Sequence, residues 1–201
     1  MSTMDQIRER ISEIKPGEAF TVSDFLDIAD HEMAKKALSR LEKNGEIRRV
    51  MRGVYDKPQY SQLLNEYAAP SPTEIARAIA RNNNWTIAPA GDTALNLLGL
   101  STQVPSDWQF ISSGPYKNYT IGNISIHFLH RADRDISGMS YITGLVIGAL
   151  KTIGRENVTE KDLLQIKSCL TEKDKETILL EGKKASIWIY SMIKKVCREE
   201  W

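Results

Sequence analysis

ALSRLEKNGEIRRVMRGVY occupies residues 37–55, and within it a helical pattern gives way to a β-rich one. The apolar residues of the first half continue a stripe with helical spacing: Ala34, Ala37, Leu38 and Leu41. This spacing predicts a helix over about residues 32–43, ended by Asn44-Gly45. Two β-rich runs follow at 47–50 and 54–55, joined across residues 51–53, which is a hairpin signal. A helix leading directly into a β-hairpin is therefore expected.

Two further helices are predicted upstream of this stretch. The first carries Ile7, Ile11 and Ile14 on one face and ends at Pro16-Gly17, because proline cannot continue the helical hydrogen bonds. The second is short, carries Phe25, Leu26 and Ile28, and is capped by Thr21 or Ser23. Three helices and a hairpin in about 55 residues predict a winged helix-turn-helix domain over residues 1–57.

The rest of the chain predicts a connection and a second domain. Prolines at both ends of residues 58–72 indicate a linker. Residues 73–201 mix helices with strands centred on 85–88, 108–111, 119–121 and 124–128, so an α+β domain is expected. Its tail, residues 154–201, is predicted to be helical, with capping boxes at Thr159 and Thr171.

Charge is distributed unevenly along a chain that is almost neutral as a whole. The 201 residues carry a formal net charge of +1, which excludes a generic polycation. Residues 1–34 hold three basic and eight acidic side chains, whereas residues 35–57 hold eight basic and three acidic. The positive charge is therefore confined to the predicted helix and hairpin, the two elements that a winged helix places on DNA.

This basic segment supplies the candidate DNA-binding residues. Five lie off the apolar stripe of the helix, namely Lys35, Lys36, Ser39, Arg40 and Lys43. Four more lie in the hairpin, namely Arg48, Arg49, Arg52 and Tyr55. The helix is expected to read bases and the hairpin to grip the phosphate backbone, with six to eight phosphates neutralised. The alternative interpretation is an ordinary solvated or protein-binding surface.

Enzyme motifs are weak, and no catalytic residue, metal or cofactor is expected. The chain has neither of the glycine-rich phosphate-binding patterns. Ser112-Ser113-Gly114 resembles a nucleotidyltransferase loop, but no closely spaced carboxylate pair follows it. His127 and His130 are predicted to point to opposite faces of a strand. The polar run from His130 to Asp135 is more consistent with a salt-bridged turn than with a catalytic or metal site, and Cys169 with an ordinary thiol.

The same sequence features favour a cytoplasmic protein. The first ten residues carry charges where a secretion signal needs an apolar core. No window approaches the roughly 18 apolar residues that a transmembrane helix requires. The two cysteines, Cys169 and Cys197, are consistent with a reducing compartment.

A family resemblance rests on three blocks that occur in a fixed order. Residues 37–55 are similar to the winged-helix domain of the AbiEi-type antitoxins of bacterial type IV toxin–antitoxin and abortive-infection systems, and Arg52-Gly53-Val54-Tyr55 is a characteristic part. The second block is residues 94–105, ALNLLGLSTQVP, and the third is residues 144–150, GLVIGAL. The resemblance covers about residues 5–153.

The resemblance implies a transcriptional repressor that is also an antitoxin. The first domain is expected to bind inverted repeats in double-stranded DNA upstream of its own operon. The remainder is expected to counteract a nucleotidyltransferase-type toxin. Two half-sites imply either a homodimer or cooperative monomers, and the sequence does not choose between them. The rival hypothesis is an interaction module that binds a partner toxin or a ligand directly and has no DNA role.

Overall fold

A computed structural model describes residues 2–131, 136 and 138–198. The described chain is a mixed α+β protein with a helical C-terminal region, as the sequence predicted. It divides into two compact units, with the boundary between Trp85 and Thr86.

The first unit combines helices with two small antiparallel sheets. Its elements are α1 (Thr3–Glu13), β1 (Ala19–Thr21), a 3-10 turn (Val22–Phe25), α2 (His31–Lys43), β2 (Arg48–Met51), β3 (Val54–Asp56), β4 (Tyr60–Ser61), β5 (Glu66–Tyr67) and α3 (Pro72–Asn82). The larger sheet has the strand order β1-β3-β2, and β4 pairs only with β5. The predicted second helix is thus a single 3-10 turn, and β1 is an additional strand.

Local sequence signals explain both ends of α2. At its start, the Asp30 carboxylate accepts a hydrogen bond from the Met33 amide at 2.9 Å, which satisfies one of the free N–H groups of the first turn. At its end, Gly45 has a φ of +74°, and the amides of Gly45 and Glu46 donate back to the carbonyls of Glu42 and Leu41. This is the pairing of a Schellman motif, which favours glycine at the left-handed position.

A hydrophobic core joins α1, α2 and the β1-β3-β2 sheet of the first unit. Its fully buried members are Ile7, Phe20, Phe25, Ala34, Leu38 and Leu41, with Ile11, Val22, Ala37, Ile47 and Tyr55 close to fully buried. These side chains come from α1, α2 and the strands, so the apolar stripes predicted for the two helices face the same interior. The cations of α2 are consequently left on the opposite side of that helix.

The segment predicted to be a linker, residues 58–72, contains the β4–β5 hairpin. Tyr60 pairs with Tyr67 and Ser61 with Glu66, and the ladder is extended by a hydrogen bond from the Ala68 amide to the Gln59 carbonyl at 2.8 Å. The residues between the strands include Leu63, which is 93% exposed.

The first compact unit also extends further than the 1–57 domain drawn from the sequence. Helix α3 packs against β1, and its Arg81 guanidinium donates to the Ala19 carbonyl at 2.9 Å and to the Asp24 carboxylate at 3.0 Å. These long-range contacts place α3 in the first unit, whereas the sequence-based division assigned it to the domain starting at residue 73. Periodicity cannot reveal which sheet a helix packs on.

The second unit pairs a four-stranded sheet with a helical region. Its elements are β6 (Ile87–Ala90), α4 (Gly91–Leu97), β7 (Asp107–Ser112), β8 (Lys117–Ile121), β9 (Ile124–His130), α5 (Tyr141–Ile153), a 3-10 turn (Arg155–Asn157), α6 (Glu160–Ser168), α7 (Glu172–Glu181), a 3-10 turn (Gly182–Lys184) and α8 (Ile187–Cys197). The strand order is β6-β7-β9-β8. The β7–β9 pair is parallel and the other two pairs are antiparallel.

Two glycines let α5 lie directly on β6. A Cβ atom at Gly144 would come within 2.3 Å of the Ala88 Cβ, and one at Gly148 would come within 2.4 Å of the Pro89 carbonyl oxygen. Both predicted capping boxes are present at the starts of α6 and α7, where Thr159 pairs with Asp162 and Thr171 with Asp174. Among the described residues, no helix is long and apolar enough to cross a bilayer.

Candidate nucleic-acid interface

The exposed face of α2 carries most of the predicted DNA-binding residues. Lys36, Arg40 and Lys43 are exposed and Ser39 is half-buried, as expected for positions off the buried stripe. Within the part of the chain that the structure describes, no ion pair involves these three cations. Their charges are therefore available to an external anion.

An ion pair between Lys35 and Glu32 reduces the positive charge at the first turn of this face. The Lys35 Nζ lies 3.6 Å from a Glu32 carboxylate oxygen, and both side chains are more than half exposed. Glu32 also precedes Lys36 by four residues, so it lies beside that cation on the helix surface. One acidic side chain therefore partly offsets the basic face at its N-terminal end.

Arg49 lies on the same side of the β1-β3-β2 sheet as α2. Arg49 is the antiparallel partner of Tyr55, and paired residues point to the same face of a sheet. The Tyr55 ring belongs to the core shared with α2, so that face of the sheet is the one that packs against α2. Because β2 is an edge strand, Arg49 remains exposed there. Arg52 is exposed in the turn between β2 and β3.

Arg48 is directed to the other face, where it forms an internal ion pair. Its Nε donates to the Asp56 carboxylate at 3.0 Å and its Nη1 donates to the Ala68 carbonyl at 3.0 Å. Asp56 is 1% exposed, so the arginine compensates a buried charge. The sequence predicts Arg48 to be a phosphate contact. This placement does not fit that role, because the guanidinium N–H groups already donate to acceptors inside the protein.

Tyr55 is likewise a core residue. Its side chain is 6% exposed and its ring stacks on Phe20 with the centroids 6.3 Å apart. A ring held in this position cannot reach a nucleic acid, so Tyr55 is removed from the predicted set. The sequence offered no means of separating Arg48 and Tyr55 from the exposed residues, since strands of three or four residues are too short for a clear alternation.

Three acidic residues of the first unit pair with arginines outside the basic segment. Glu46 accepts from Arg8 at 2.8 Å, Asp27 from Arg10 at 2.8 Å, and Asp24 from Arg81 at 3.0 Å. The hydrogen bonds from Arg8 and Arg10 hold the pKa values of Glu46 and Asp27 below their ordinary values. These three carboxylates therefore do not offset the cations of α2 and the hairpin.

A groove runs beside the cations between α1 and α2. It has a volume of about 220 Å³ and is lined by Thr3, Met4, Met33, Lys36, Ala37 and Arg40. Sequence reasoning missed Met33, which is 46% exposed. Its spacing of three residues from Lys36 and seven from Arg40 placed it on the same helix face and was the available signal.

The histidines of the second unit do not form a joint site. His127 Nδ1 lies 2.9 Å from the Asn118 Oδ1, and its Nε2 donates to the Asp107 carboxylate at 3.1 Å. This hydrogen bond lowers the pKa of Asp107. His130 Nδ1 lies 2.9 Å from the Gly114 carbonyl oxygen, a separate partner.

The other enzyme candidates also have local structural roles. The Ser112 Oγ is buried and accepts from the Gly114 amide at 3.0 Å, and the Ser113 Oγ accepts from the Thr86 amide at 3.0 Å. Cys169 Sγ lies 3.5 Å from the Leu98 carbonyl oxygen. No group of metal-binding side chains occurs among the described residues. Asp133 and Asp135, part of the predicted polar turn, lie outside them.

A family model for DUF6088 matches residues 6–178. The chain belongs to this family of unknown function. The DUF6088 match begins in α1 and ends in α7, so it spans both compact units and leaves out α8. Both the basic face of α2 and the β7–β9 sheet are thus part of the region that defines DUF6088.

Known structures and curated proteins add little to the DUF6088 assignment. The chain is 11% identical to the RV2827C protein from Mycobacterium tuberculosis in its crystal structure, with a TM-score of 0.41 over 97% of this chain and 76% of that chain. No functional conclusion follows from a likeness this distant. No curated protein matches the sequence.

Proposed function

We propose that the chain is a double-stranded DNA-binding transcriptional regulator and that its first unit makes the contacts. The observation that carries the proposal is a set of exposed cations without an internal ion-pair partner in the described chain: Lys36, Arg40, Lys43, Arg49 and Arg52. Three lie on one face of α2. Arg49 lies on the side of the sheet that packs against α2, and Arg52 lies in the turn between β2 and β3.

The topology around these cations supports the same proposal. The order α1, β1, 3-10 turn, α2, β2, β3 with the sheet order β1-β3-β2 is typical of a winged helix-turn-helix. In that arrangement α2 corresponds to the recognition helix and the β2–β3 hairpin to the wing. A recognition helix enters the major groove, while a wing contacts the phosphate backbone or the minor groove.

Salt dependence is the sharpest first test of this proposal. Removing Arg48 from the contact set, counting Lys35 as paired and assigning Arg40 to a base leaves four cations per copy for phosphates, which predicts a slope of log K against log salt of about −3 to −4 per copy. Fluorescence anisotropy with the full chain and a labelled duplex from the region upstream of its gene measures that slope. No binding at 50 mM salt, or a slope near zero, contradicts the proposal.

The family resemblance adds an antitoxin role to the proposed regulator. In this proposal the inverted repeats lie upstream of the operon, and the second unit counteracts a nucleotidyltransferase-type toxin encoded beside it. Co-expression with the neighbouring open reading frame tests the role directly. Growth rescue by the full chain supports it, and unrelieved toxicity in the presence of folded protein contradicts it.

The β4–β5 hairpin favours direct protein binding as a second candidate function. Four large side chains of this hairpin are exposed in a segment with one charged residue, namely Tyr60, Leu63, Leu64 and Tyr67. A contiguous exposed apolar group of this kind typically marks a protein contact. Co-purification of the neighbouring gene product that is lost in a Leu63→Ser, Leu64→Ser variant would favour this function.

A further inference from the structure

The groove between α1 and α2 has an apolar floor and a cationic edge. The thioether side chains of Met4 and Met33 and the methyl group of Ala37 contribute the apolar part, and Lys36 and Arg40 contribute the charge. Met33 is nearly half exposed although it is apolar, and the neighbouring side chain Ala37 is 6% exposed. A ligand for this groove must therefore present an apolar group next to hydrogen-bond acceptors or negative charge.

The size of the groove decides between two kinds of ligand. Its volume of about 220 Å³ is below the roughly 300–1,000 Å³ of sites that enclose a whole small molecule. The volume suits a single projecting group on a larger binding partner. An enclosed effector site is thus disfavoured, and a contact made within an extended interface is favoured.

We infer that this groove between α1 and α2 binds the 5-methyl group of a thymine, which is exposed in the major groove of DNA. The inference rests on the proposed DNA-binding function and specifies which base the α2 face selects. Thymine is the base that presents a methyl group there, and it does so beside its O4 acceptor. The polarisable, flexible Met33 thioether adapts to such a group at little cost.

Arg40 lies further along the same face of α2 and is expected to contact a second base. Met33, Lys36 and Arg40 follow at i, i+3 and i+7, so they form one stripe on α2. The stripe is about 10 Å long at 1.5 Å per residue, close to three base-pair steps of 3.4 Å. Because an arginine makes its best base contact with guanine O6 and N7, the preferred site contains a guanine within about three base pairs of the thymine.

Uracil substitution tests the methyl contact without altering the protein. A duplex is first selected by the full chain from a random pool at 50 mM salt, and each thymine is then replaced singly by deoxyuridine. One replacement is expected to weaken binding about three- to fivefold, the worth of one buried methyl group. Met33→Ala is expected to bind the thymine duplex more weakly than the wild type by the same factor. On the uracil duplex, the affinities of Met33→Ala and the wild type are expected to be equal.

Two variants control for side-chain loss in general. Leu26 is 50% exposed, similar to the 46% of Met33, and is not part of the groove lining. Leu26→Ala is therefore expected to keep the full thymine-to-uracil ratio. Met33→Leu is expected to keep most of it, because an apolar side chain of similar volume remains in place.

The outcomes separate this inference from the function on which it rests. Selective DNA binding that no thymine-to-uracil change alters by more than 1.5-fold overturns the methyl contact and leaves the DNA-binding function standing. A thymine-to-uracil affinity ratio that is the same in Met33→Ala as in the wild type likewise overturns the methyl contact. Failure of the pool to yield any bound duplex overturns both the inference and the proposed function.

Discussion

The Arg48 guanidinium donates from Nε to the Asp56 carboxylate at 3.0 Å, and this pair joins β2 to the fully buried end of β3. Removing the arginine would leave a buried carboxylate without its counter-charge. We therefore expect Arg48→Ala to lower the free energy of unfolding by about 3 kcal/mol. Urea denaturation of the full chain, followed by circular dichroism, measures the change.

Two further variants make that prediction specific. Arg49→Ala removes the neighbouring exposed arginine and should stay within about 0.5 kcal/mol of the wild type. The double change Arg48→Met with Asp56→Leu removes both charges and should recover part of the lost stability. If Arg48→Ala proved as mild as Arg49→Ala, the ion pair would have no structural importance.

Arg40 and Arg52 are expected to affect DNA binding in different ways. In the proposed function Arg52 contacts the phosphate backbone, so Arg52→Ala should weaken specific and random duplexes by the same factor and reduce the salt slope by about 1. Arg40 is proposed to contact a base, so Arg40→Ala should reduce the ratio of specific to random affinity by about five- to 100-fold. Anisotropy titrations on a selected and a scrambled duplex give both ratios, and equal behaviour of the two variants would contradict the division.

Glu32 is expected to oppose DNA binding. Its carboxylate lies 3.6 Å from Lys35 Nζ on the exposed surface of α2. Glu32→Gln removes this negative charge and frees Lys35 for a phosphate, so affinity at 50 mM salt should rise severalfold and the salt slope should steepen by about 1. Glu176→Gln makes the same charge change in α7 and should alter neither quantity. An unchanged slope for Glu32→Gln would show that this end of α2 does not approach DNA.

The Asp107–His127 hydrogen bond predicts a pH dependence of stability. Because the hydrogen bond lowers the pKa of Asp107 below its ordinary 3.8, the carboxylate stabilises the folded state above that pH. The contribution is lost as the pH falls through the folded-state pKa. The urea midpoint of the wild type should therefore fall more steeply than that of Asp107→Asn below about pH 4. Parallel curves for the two proteins from pH 5 to pH 3 would contradict the assignment.

Gly148 is expected to resist substitution even though alanine is the better helix former. A methyl group there would meet the Pro89 carbonyl oxygen at 2.4 Å, a backbone atom that cannot turn aside. Overpacking should therefore outweigh the gain of about 1 kcal/mol in helix propensity and leave Gly148→Ala destabilised by about 1–3 kcal/mol. Thermal unfolding checks this, with Lys151→Ala on the exposed side of α5 as a nearly neutral control. A raised midpoint for Gly148→Ala would refute the close packing.

Features set by local sequence were predictable in this chain. Helix α2 was predicted over about residues 32–43 and spans His31–Lys43, because its apolar stripe, its Asp30 cap and Gly45 act within a few residues of one another. The same holds for the capping boxes at Thr159 and Thr171. The α+β class followed from the order of such elements and is confirmed.

Features set by long-range pairing were not predictable. Strand β1 has three residues and β4 and β5 have two each, too few for an alternation to be recognised. The opposite fates of Arg48 and Arg49 depend on the register against β3, which is irregular between Arg49 and Met51. Two of the nine predicted site residues, Arg48 and Tyr55, therefore belong to the protein interior, and the DNA-binding role of the others stays a prediction.

Pairing Glu46, Asp27 and Asp24 with Arg8, Arg10 and Arg81 leaves the first unit with a group of exposed, unpaired cations that the net charge of +1 conceals. If the first unit binds DNA as proposed, the field of that polyanion attracts these cations before any contact forms. Diffusional encounters are then productive more often than random orientation allows. The association rate should consequently fall with ionic strength as steeply as for a protein of much higher overall charge.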